Sequence, residues 1–352
     1  MSKGRESQVA EAAAAAAVVT GAAAVGGKLA KDKLSASRRR EEARAYRLED
    51  GEFVPDGMRR IARGQLDAGI EELDGQPGRK LDEAVHETRK RLKRLRASLR
   101  VARCAMGDDT YRRENAAFRD LGKRLSAPRD ARVLIETLDA LGERFGDELP
   151  SDQTAALRKR LEQSHKRAVA NLRRDRATVE AVRTGLEEAR VRSASWKYDS
   201  EGFEALGPGL QRLYRRGRRS MRAAAAEPSD EHLHEWRKRA KDHWHALQIL
   251  RPAAPKRMQA RAKRAHELSD LLGDDHDLAV LREHVAKTAF PAEEEATRSA
   301  LLSVIDRRRR SLQRAAFKLG RQVYASRPKD FVRSVARRWQ KRAAKQPEPI
   351  AG

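Results

Sequence analysis

The stretch VHETRKRLKRLRASLRVAR, at residues 85–103, has a counterpart in LHEWRKRAKDHWHALQILR, at residues 233–251. Eight of the nineteen aligned positions are identical, including the histidine and both of the lysines that follow it in the first stretch. A second pair, LGKRLSAPRDARVL at 121–134 and LSDLLGDDHDLAVL at 268–281, follows in the same order at almost the same offset. Two matched pairs in one order predict an internal repeat.

The repeat has a first copy at about 52–200 and a second copy at about 201–341, and both are predicted to be helical. Apolar residues recur at spacings of three and four, and alternating β-branched runs are missing. Segments rich in Gly and Pro, such as EALGPG (204–209) and RPAAPK (251–256), mark expected breaks, and GDDHD (273–277) is expected to be another. The predicted fold class is all-α, with about four helices in each copy.

The charge of the chain limits the kind of partner that it can have. Its 352 residues include 77 Lys and Arg against 52 Asp and Glu, for a formal net charge of +25. A chain this basic attracts nucleic acid, acidic membranes or polyphosphate, and solubility alone requires much less charge. Cys104 is the single cysteine, so neither an internal disulfide nor a paired-cysteine zinc site can form, which is typical of the reducing cytoplasm.

The two ends of the chain differ in composition from the repeat. The run AAAAAAVVTGAAAVGG, at 12–27, is short and weakly apolar for a membrane span and lacks the Leu-rich centre of a signal peptide. We expect residues 1–49 to form an Ala-rich and basic arm, flexible or helical, and residues 342–352 to form a disordered tail. No transmembrane segment is expected.

Each of the two matched helices carries an apolar stripe and a cationic stripe side by side, because a helix turns by about 100° per residue. The apolar stripes are Leu81, Val85, Leu92, Leu95 and Leu99 in the first helix and Leu233, Trp236, Ala240, Trp244 and Leu247 in the second. The cationic stripes are His86, Arg89, Lys93, Arg96 and Arg100 in the first and His234, Arg237, Lys241 and His245, followed by Gln248, in the second. Acidic residues are few on both helices, so a polyanion is the expected partner of these repelling charges.

The histidine of each cationic stripe has two interpretations. In one, it is a packing residue that bonds a neighbouring backbone group. In the other, it donates to a phosphate oxygen and gains charge when an anion binds, and its position on both stripes favours this second interpretation. A further basic face carries Arg212, Arg216 and Arg219, and Arg60 and Arg63 occupy the related stretch of the first copy, so these five are predicted to line the same site.

Motifs of known catalytic and nucleotide-binding sites are missing from the sequence, including the Gly-rich phosphate loop, HExxH and GxSxG. DDHD, at 274–277, suggests a metal-dependent phosphohydrolase, but the first copy has APRD there, with Arg129 in place of His276. An Asp at a helix start, paired with a basic residue, explains both copies. We therefore expect no metal, no cofactor and no catalytic residue.

These motifs resemble the CHAD domain, the conserved histidine α-helical domain, over about residues 50–341. The resemblance implies two four-helix bundles related by a pseudo-twofold axis, with a basic groove or pore between them, and binding of long-chain inorganic polyphosphate at polyphosphate granules. It assigns the site to His86, Arg89, Lys93 and Arg94 in the first copy and to His234, Arg237 and Lys241 in the second. Asp242 stands where the family tends to keep a basic residue such as Arg94, so the two half-sites are not expected to be fully symmetric.

The resulting hypothesis is a non-enzymatic polyphosphate-binding protein of the cytoplasm, associated with polyphosphate granules, which binds nucleic acid only weakly and without specificity. The first alternative is a nucleic-acid-binding or nucleoid-associated protein that uses the same charge on its outer faces. Against it, no aromatic platform for stacking bases is evident. The second alternative is a metal-dependent phosphohydrolase centred on His276 and Asp277.

Overall fold

The computed structural model describes residues 41–42, 44–74, 80–149 and 151–344. In these ranges it contains eleven α-helices, three single-turn 3-10 helices and no β-strand, so the all-α prediction is confirmed. The chain divides into two units, Met1–Tyr46 and Arg47–Gly352, and all eleven helices belong to the second. Most of the predicted arm and tail lies outside the described residues. None of the described helices is long and apolar enough to cross a membrane.

The number of helices differs from the prediction of about four in each copy. Six of the described helices fall in the first copy and five in the second. They are α1 (Val54–Leu73), α2 (Leu81–Ala102), α3 (Asp108–Arg124), α4 (Ser126–Arg144), α5 (Ser151–Arg174), α6 (Arg176–Ala194), α7 (Gly207–Ala226), α8 (Asp230–Ile249), α9 (Pro255–Lys287), α10 (Glu295–Val323) and α11 (Pro328–Ala343).

The two copies differ where α3 and α4 are matched by the single helix α9. Pro128 lies in the first turn of α4, where its missing N–H is tolerated, and the chain breaks just before it at Leu125. The break predicted at GDDHD (273–277) is wrong, since α9 runs through it. One glycine costs a helix only about 1 kcal/mol, and burial of Leu272 and Leu278 on either side offsets that cost. Asp277 is therefore not at a helix start.

The predicted apolar stripes of α2 and α8 form the buried faces of these helices. Four members of the first stripe and four of the second are buried, and Leu81 is partly buried. Trp244 is the exception. Its ring is partly exposed and lies with its centroid 4.1 Å from that of His266 on α9. The helix periodicity thus identified the core-facing side of both helices.

One hydrophobic core is formed within the first copy, by α1, α2, α3 and α6. Leu66, Leu95, Phe118 and Leu186 represent these four helices in it, and all four side chains are completely buried. Burial of apolar side chains of this size stabilises a fold by roughly 1.5–3 kcal/mol each. This core supports the side of α2 opposite to its exposed charges.

A second core draws on both copies of the repeat. Leu138 of α4 and Leu161 of α5 pack in one cluster with Leu281 of α9 and Ile305 of α10. The helices α4 and α5 of the first copy therefore complete their burial against helices of the second. The pseudo-twofold relation of two separate four-helix bundles stays a prediction.

Helix α2 also packs against α7 and α8, and this contact positions the basic stripes. At Gly209 of α7, an added Cβ would lie 1.9 Å from the carbonyl oxygen of Val101. Glycine is required there because the backbone of α7 passes so close to the backbone at the end of α2 that no side chain fits between them. The close crossing brings the matched helices α2 and α8 of the two copies together.

Candidate functional site

Lysines from the two copies meet where α2 packs on α8. Burial and the positive charges of Lys241, Arg89, Arg237 and Arg129 lower the pKa of Lys93 to about 7. The side chain of Lys93 is exposed to solvent, although many protein atoms surround it. We term Arg89, Lys93, Arg129, Arg237 and Lys241 the cationic cluster.

Carboxylates border the cationic cluster, and one of them lies beside Arg89 and another beside Arg237. Arg89 Nη2 lies 3.5 Å from Asp130 Oδ1, and Arg237 Nη2 lies 3.9 Å from Asp277 Oδ1. These are long and weak ion pairs, and each joins the same two positions of the repeat. Arg129 has a closer partner, since its Nη1 lies 2.8 Å from Glu136 Oε2. The charges of Asp270, Asp277 and Asp242 also oppose the lowering of the pKa of Lys241. Three carboxylates, Asp130, Asp277 and Glu136, are paired with arginines of the cluster, and neither of its two lysines is within ion-pair distance of a described carboxylate.

Asp277 shows that cations of both copies surround one point. Burial raises the pKa of its carboxyl group, and the opposing positive charges of Arg237, Arg129, Lys241 and Lys93 lower it. Asp277 belongs to the second copy, whereas Arg129 and Lys93 belong to the first. An anion placed at this point would interact with side chains from both halves of the chain.

The two histidines of the stripes lie at the edge of the cluster. His86 is near Arg129 and His234 is near His276, the residues that directly precede Asp130 and Asp277 in sequence. Burial and then the charge of Arg129 lower the pKa of His86. On the other half, the rings of His234 and His276 have centroids 4.2 Å apart, and burial lowers the pKa of His234. Both stripe histidines are therefore mainly neutral at pH 7, and each can donate one hydrogen bond in the tautomer that a ligand selects.

Two polar atoms at the site are buried without a hydrogen-bond partner among the described residues. They are Nη1 of Arg89 and Nδ1 of His234. A buried polar group without a partner costs about 1–3 kcal/mol. One atom comes from each matched helix, so the unsatisfied polar groups lie on both halves of the site.

The C-terminal part of the predicted stripe on α2 has acidic and amide partners. Arg100 Nη1 lies 2.9 Å from Asp242 Oδ1, and Arg96 Nε donates to Asn115 Oδ1 at 3.2 Å. Arg216 lies 3.7 Å from Glu235. Asp242, which departs from the repeat, therefore neutralises cations at this end, and the structure divides the stripe into a cationic cluster and a paired segment.

The remaining predicted residues are not brought to the cationic cluster as an exposed row. Arg94 and His245 are buried, because α2 covers α8 beyond Lys241; Arg94 donates to Gln65 and the ring of His245 bonds Gln248. The predicted place of His245 on an open stripe is therefore wrong, and Arg94, which the resemblance assigned to the site, is not on its open face. Arg60 is paired with Glu52 at 2.7 Å, and Arg63 is 75% exposed at 3.8 Å from Asp67. Arg212 and Arg219 lie on α7, of which Arg219 is exposed.

From the sequence, neither Arg129 nor His276 was assigned to the polyanion site, and His276 was considered only for a metal-dependent phosphohydrolase. The repeat held the signal, because the two occupy the same position, directly before Asp130 and Asp277. Their side chains differ, and that difference was used only as an argument against a metal site.

A pocket of about 550 Å³ lies between α4, α9 and α10 and touches the site through Asp277. Its charged lining comprises Glu136, Glu143, Asp274 and Asp277 against Arg144 and Arg308, so it is less suited to a polyanion than the cationic cluster. Within the described ranges, no group of three or more His, Cys, Asp or Glu side chains is arranged to hold a metal ion.

Comparisons with known proteins bear on the family and the fold of the chain. A family model described as the CHAD domain matches residues 60–286, which include all five residues of the cationic cluster. A solved structure, PptA from Streptomyces chartreusis, superposes with a TM-score of 0.56 at 16% sequence identity, over 78% of this chain and 100% of that chain. At this identity the likeness concerns the fold alone. No curated protein matches the chain.

Proposed function

The chain belongs to the CHAD domain family, and we propose that it binds inorganic polyphosphate at the cationic cluster between α2 and α8. The observation that supports this most is the meeting of Lys93 and Lys241, one from each copy, among three arginines. Like charges this close repel one another in the free protein. A polymer with about one negative charge per phosphate removes the repulsion and releases counterions when it binds.

The side chains of the cluster suit phosphate oxygens. The guanidinium groups of Arg89 and Arg237 present forked donors for two oxygens at once, and the ammonium groups of Lys93 and Lys241 act as compact point charges. Because the matched helices each supply half of the site, a long chain gains avidity over a short one.

The proposal includes binding without a chemical step and residence at polyphosphate granules. Binding requires only a rigid frame of positive charge, which two packed helices supply. A fluorescent fusion of the full chain is expected to coincide with polyphosphate granules in cells. Incubation of the protein with long-chain polyphosphate is expected to release no orthophosphate above the blank.

The test is binding of long-chain polyphosphate by the full chain over a salt series, with duplex DNA as competitor. The variant R89Q/R237Q should lose at least about 100-fold in affinity, since each charged hydrogen bond contributes roughly 1.5–3 kcal/mol. Its log-affinity should also depend less steeply on log salt concentration. DNA should displace polyphosphate poorly, because a duplex is much wider than a bare phosphate chain and brings fewer phosphates to one small group of side chains.

The matched control is R310Q/R314Q, which removes the same amount of charge from two exposed arginines of α10. It should bind nearly as the wild type does. Equal losses in the two variants, or equal competition by DNA, would show that the protein attracts polyanions only through its net charge.

A further inference from the structure

A second group of arginines lies on α9 and α11, apart from the cationic cluster. Arg257, Arg261 and Arg264 follow one another at spacings of four and three on α9, so they share one face of that helix. Burial has the largest effect on the pKa of Arg261 and lowers it. The positive charges of Arg338 on α11, Arg264 and Arg257 lower this pKa further, so Arg338 belongs to the same group. We term these four residues the arginine patch.

The packing of Arg261 holds the patch in place. Its guanidinium carbon lies 5.0 Å from the ring centroid of Phe331. Phe331 is itself buried and stacks on Tyr214 at a centroid distance of 4.3 Å. A cation–π contact offsets part of the cost of burying the charge but supplies no counter-charge. The patch therefore has a rigid centre that is still positively charged.

None of the four arginines forms an ion pair with another described residue, although α11 carries an acidic residue of its own. On α11, Arg333 is paired with Asp330, and Arg342 is paired with Asp50. The carboxylates of this region are thus used by other arginines. The charge of the patch is left for an anionic partner from outside.

The patch lies on the opposite side of α8 from the cationic cluster. The charge of Arg261 lowers the pKa of the buried His243 on α8, whereas Lys241 faces Lys93 of α2. Side chains two residues apart point roughly 200° apart around a helix. The two basic surfaces are therefore separated by the body of α8.

We propose that the arginine patch is a second polyphosphate-binding surface, so that one molecule holds two phosphate chains or two distant segments of one chain. This inference rests on the proposed function of the cationic cluster. Phosphate groups suit the patch better than nucleobases do, because Arg261 and Tyr214 already cover the ring of Phe331 and leave no open face for stacking. Molecules with two such surfaces link long polymers into large assemblies.

The experiment combines calorimetry with short polyphosphate and light scattering with long-chain polyphosphate, on the full chain. The variant R257Q/R264Q/R338Q removes three charges and leaves Arg261 on Phe331. The wild type should bind two equivalents of the short polymer and scatter strongly with the long one. The patch variant should keep one equivalent at unchanged affinity, and its scattering should fall at least about tenfold.

Two further variants make each failure distinguishable. R310Q/R314Q/R321Q removes three exposed charges from α10 and should behave as the wild type does. R89Q/R237Q should lose the equivalent that the patch variant keeps. A patch variant that binds two equivalents and scatters normally overturns the second surface alone. Preferential binding of duplex DNA or anionic vesicles by the patch overturns it as well. If R89Q/R237Q binds short polyphosphate as the wild type does, the proposed function of the cluster is overturned instead.

Discussion

Lys93 links the acidity of the solution to binding at the cationic cluster. With a pKa of about 7, about half of its amino groups are neutral at pH 7 in the free protein. A bound polyanion favours the charged form and raises this pKa, so binding takes up a proton. Below pH 7 the lysine is already charged and the uptake disappears.

We therefore expect the affinity for polyphosphate to decrease as the pH rises from about 7 to about 9, where free Lys93 must first be protonated. Calorimetry at pH 7 in two buffers with different ionisation enthalpies should show the proton uptake. Lys93→Met should weaken binding and flatten its pH dependence, and Lys318→Met, an exposed lysine of α10, should change neither. The same slope in both variants would place the titrating group elsewhere.

The loss of affinity in Lys93→Met is not expected to come from unfolding. The unfolded chain keeps the proton of Lys93 up to a pKa of 10.5, whereas the folded chain keeps it only to about 7. Burial of this charge therefore lowers stability at pH 7 and below, and stability rises with pH between the two values. Removal of the charge should leave the protein at least as stable at pH 7.

At the scale of the helices, the crossing of α7 over the end of α2 depends on one missing side chain. Gly209→Ala would place a Cβ against the carbonyl group of Val101, which cannot turn away as a side chain can. We expect a loss of about 1–3 kcal/mol in the free energy of unfolding, the usual cost of overpacking, measured by urea denaturation. A shift of α7 should also alter the position of α8 and weaken polyphosphate binding.

Gly64 provides the matched control for Gly209. It lies in α1, and an added Cβ would meet no atom within 4 Å. Gly64→Ala should stabilise the protein by about 0.4–1 kcal/mol through the unfolded chain. Equal and small effects of the two substitutions would contradict the close crossing.

The faces of the helices were predictable, but some of their ends were not. The apolar stripes of α2 and α8 follow from local periodicity, which is present in the sequence alone. The run of α9 through Gly273 is different, because the burial of Leu272 and Leu278 on either side of the glycine stabilises it. Tertiary packing overrides a weak local preference of this kind.

At the scale of the whole molecule, the second core makes the two copies dependent on each other. The helices α4 and α5 bury Leu138, Leu141 and Leu161 against α9 and α10. A fragment of residues 47–200 lacks those partners and would expose a contiguous apolar surface. The full chain should unfold in one transition, and the fragment should bind a hydrophobic dye and show no cooperative transition in calorimetry.

A fragment that unfolds cooperatively and binds no dye would show that the first copy is a separate bundle. That outcome would favour the arrangement implied by the repeat. The division of residues 52–341 into two copies is visible in the sequence, whereas the sharing of a core between them is not, since the packing partners lie more than 100 residues apart.

The sequence by itself determined that this protein is helical, repeated and strongly basic, and which helices carry its charge, because periodicity, repetition and composition are local properties of a chain. Only the tertiary structure decided which of those charges form a site. Lys93 and Lys241 are 148 positions apart and meet because α2 packs on α8. The same packing buries Arg94 and His245 and pairs Arg100 with Asp242. Charges on a helix remain free or become neutralised according to what lies against them, and that is set by the fold.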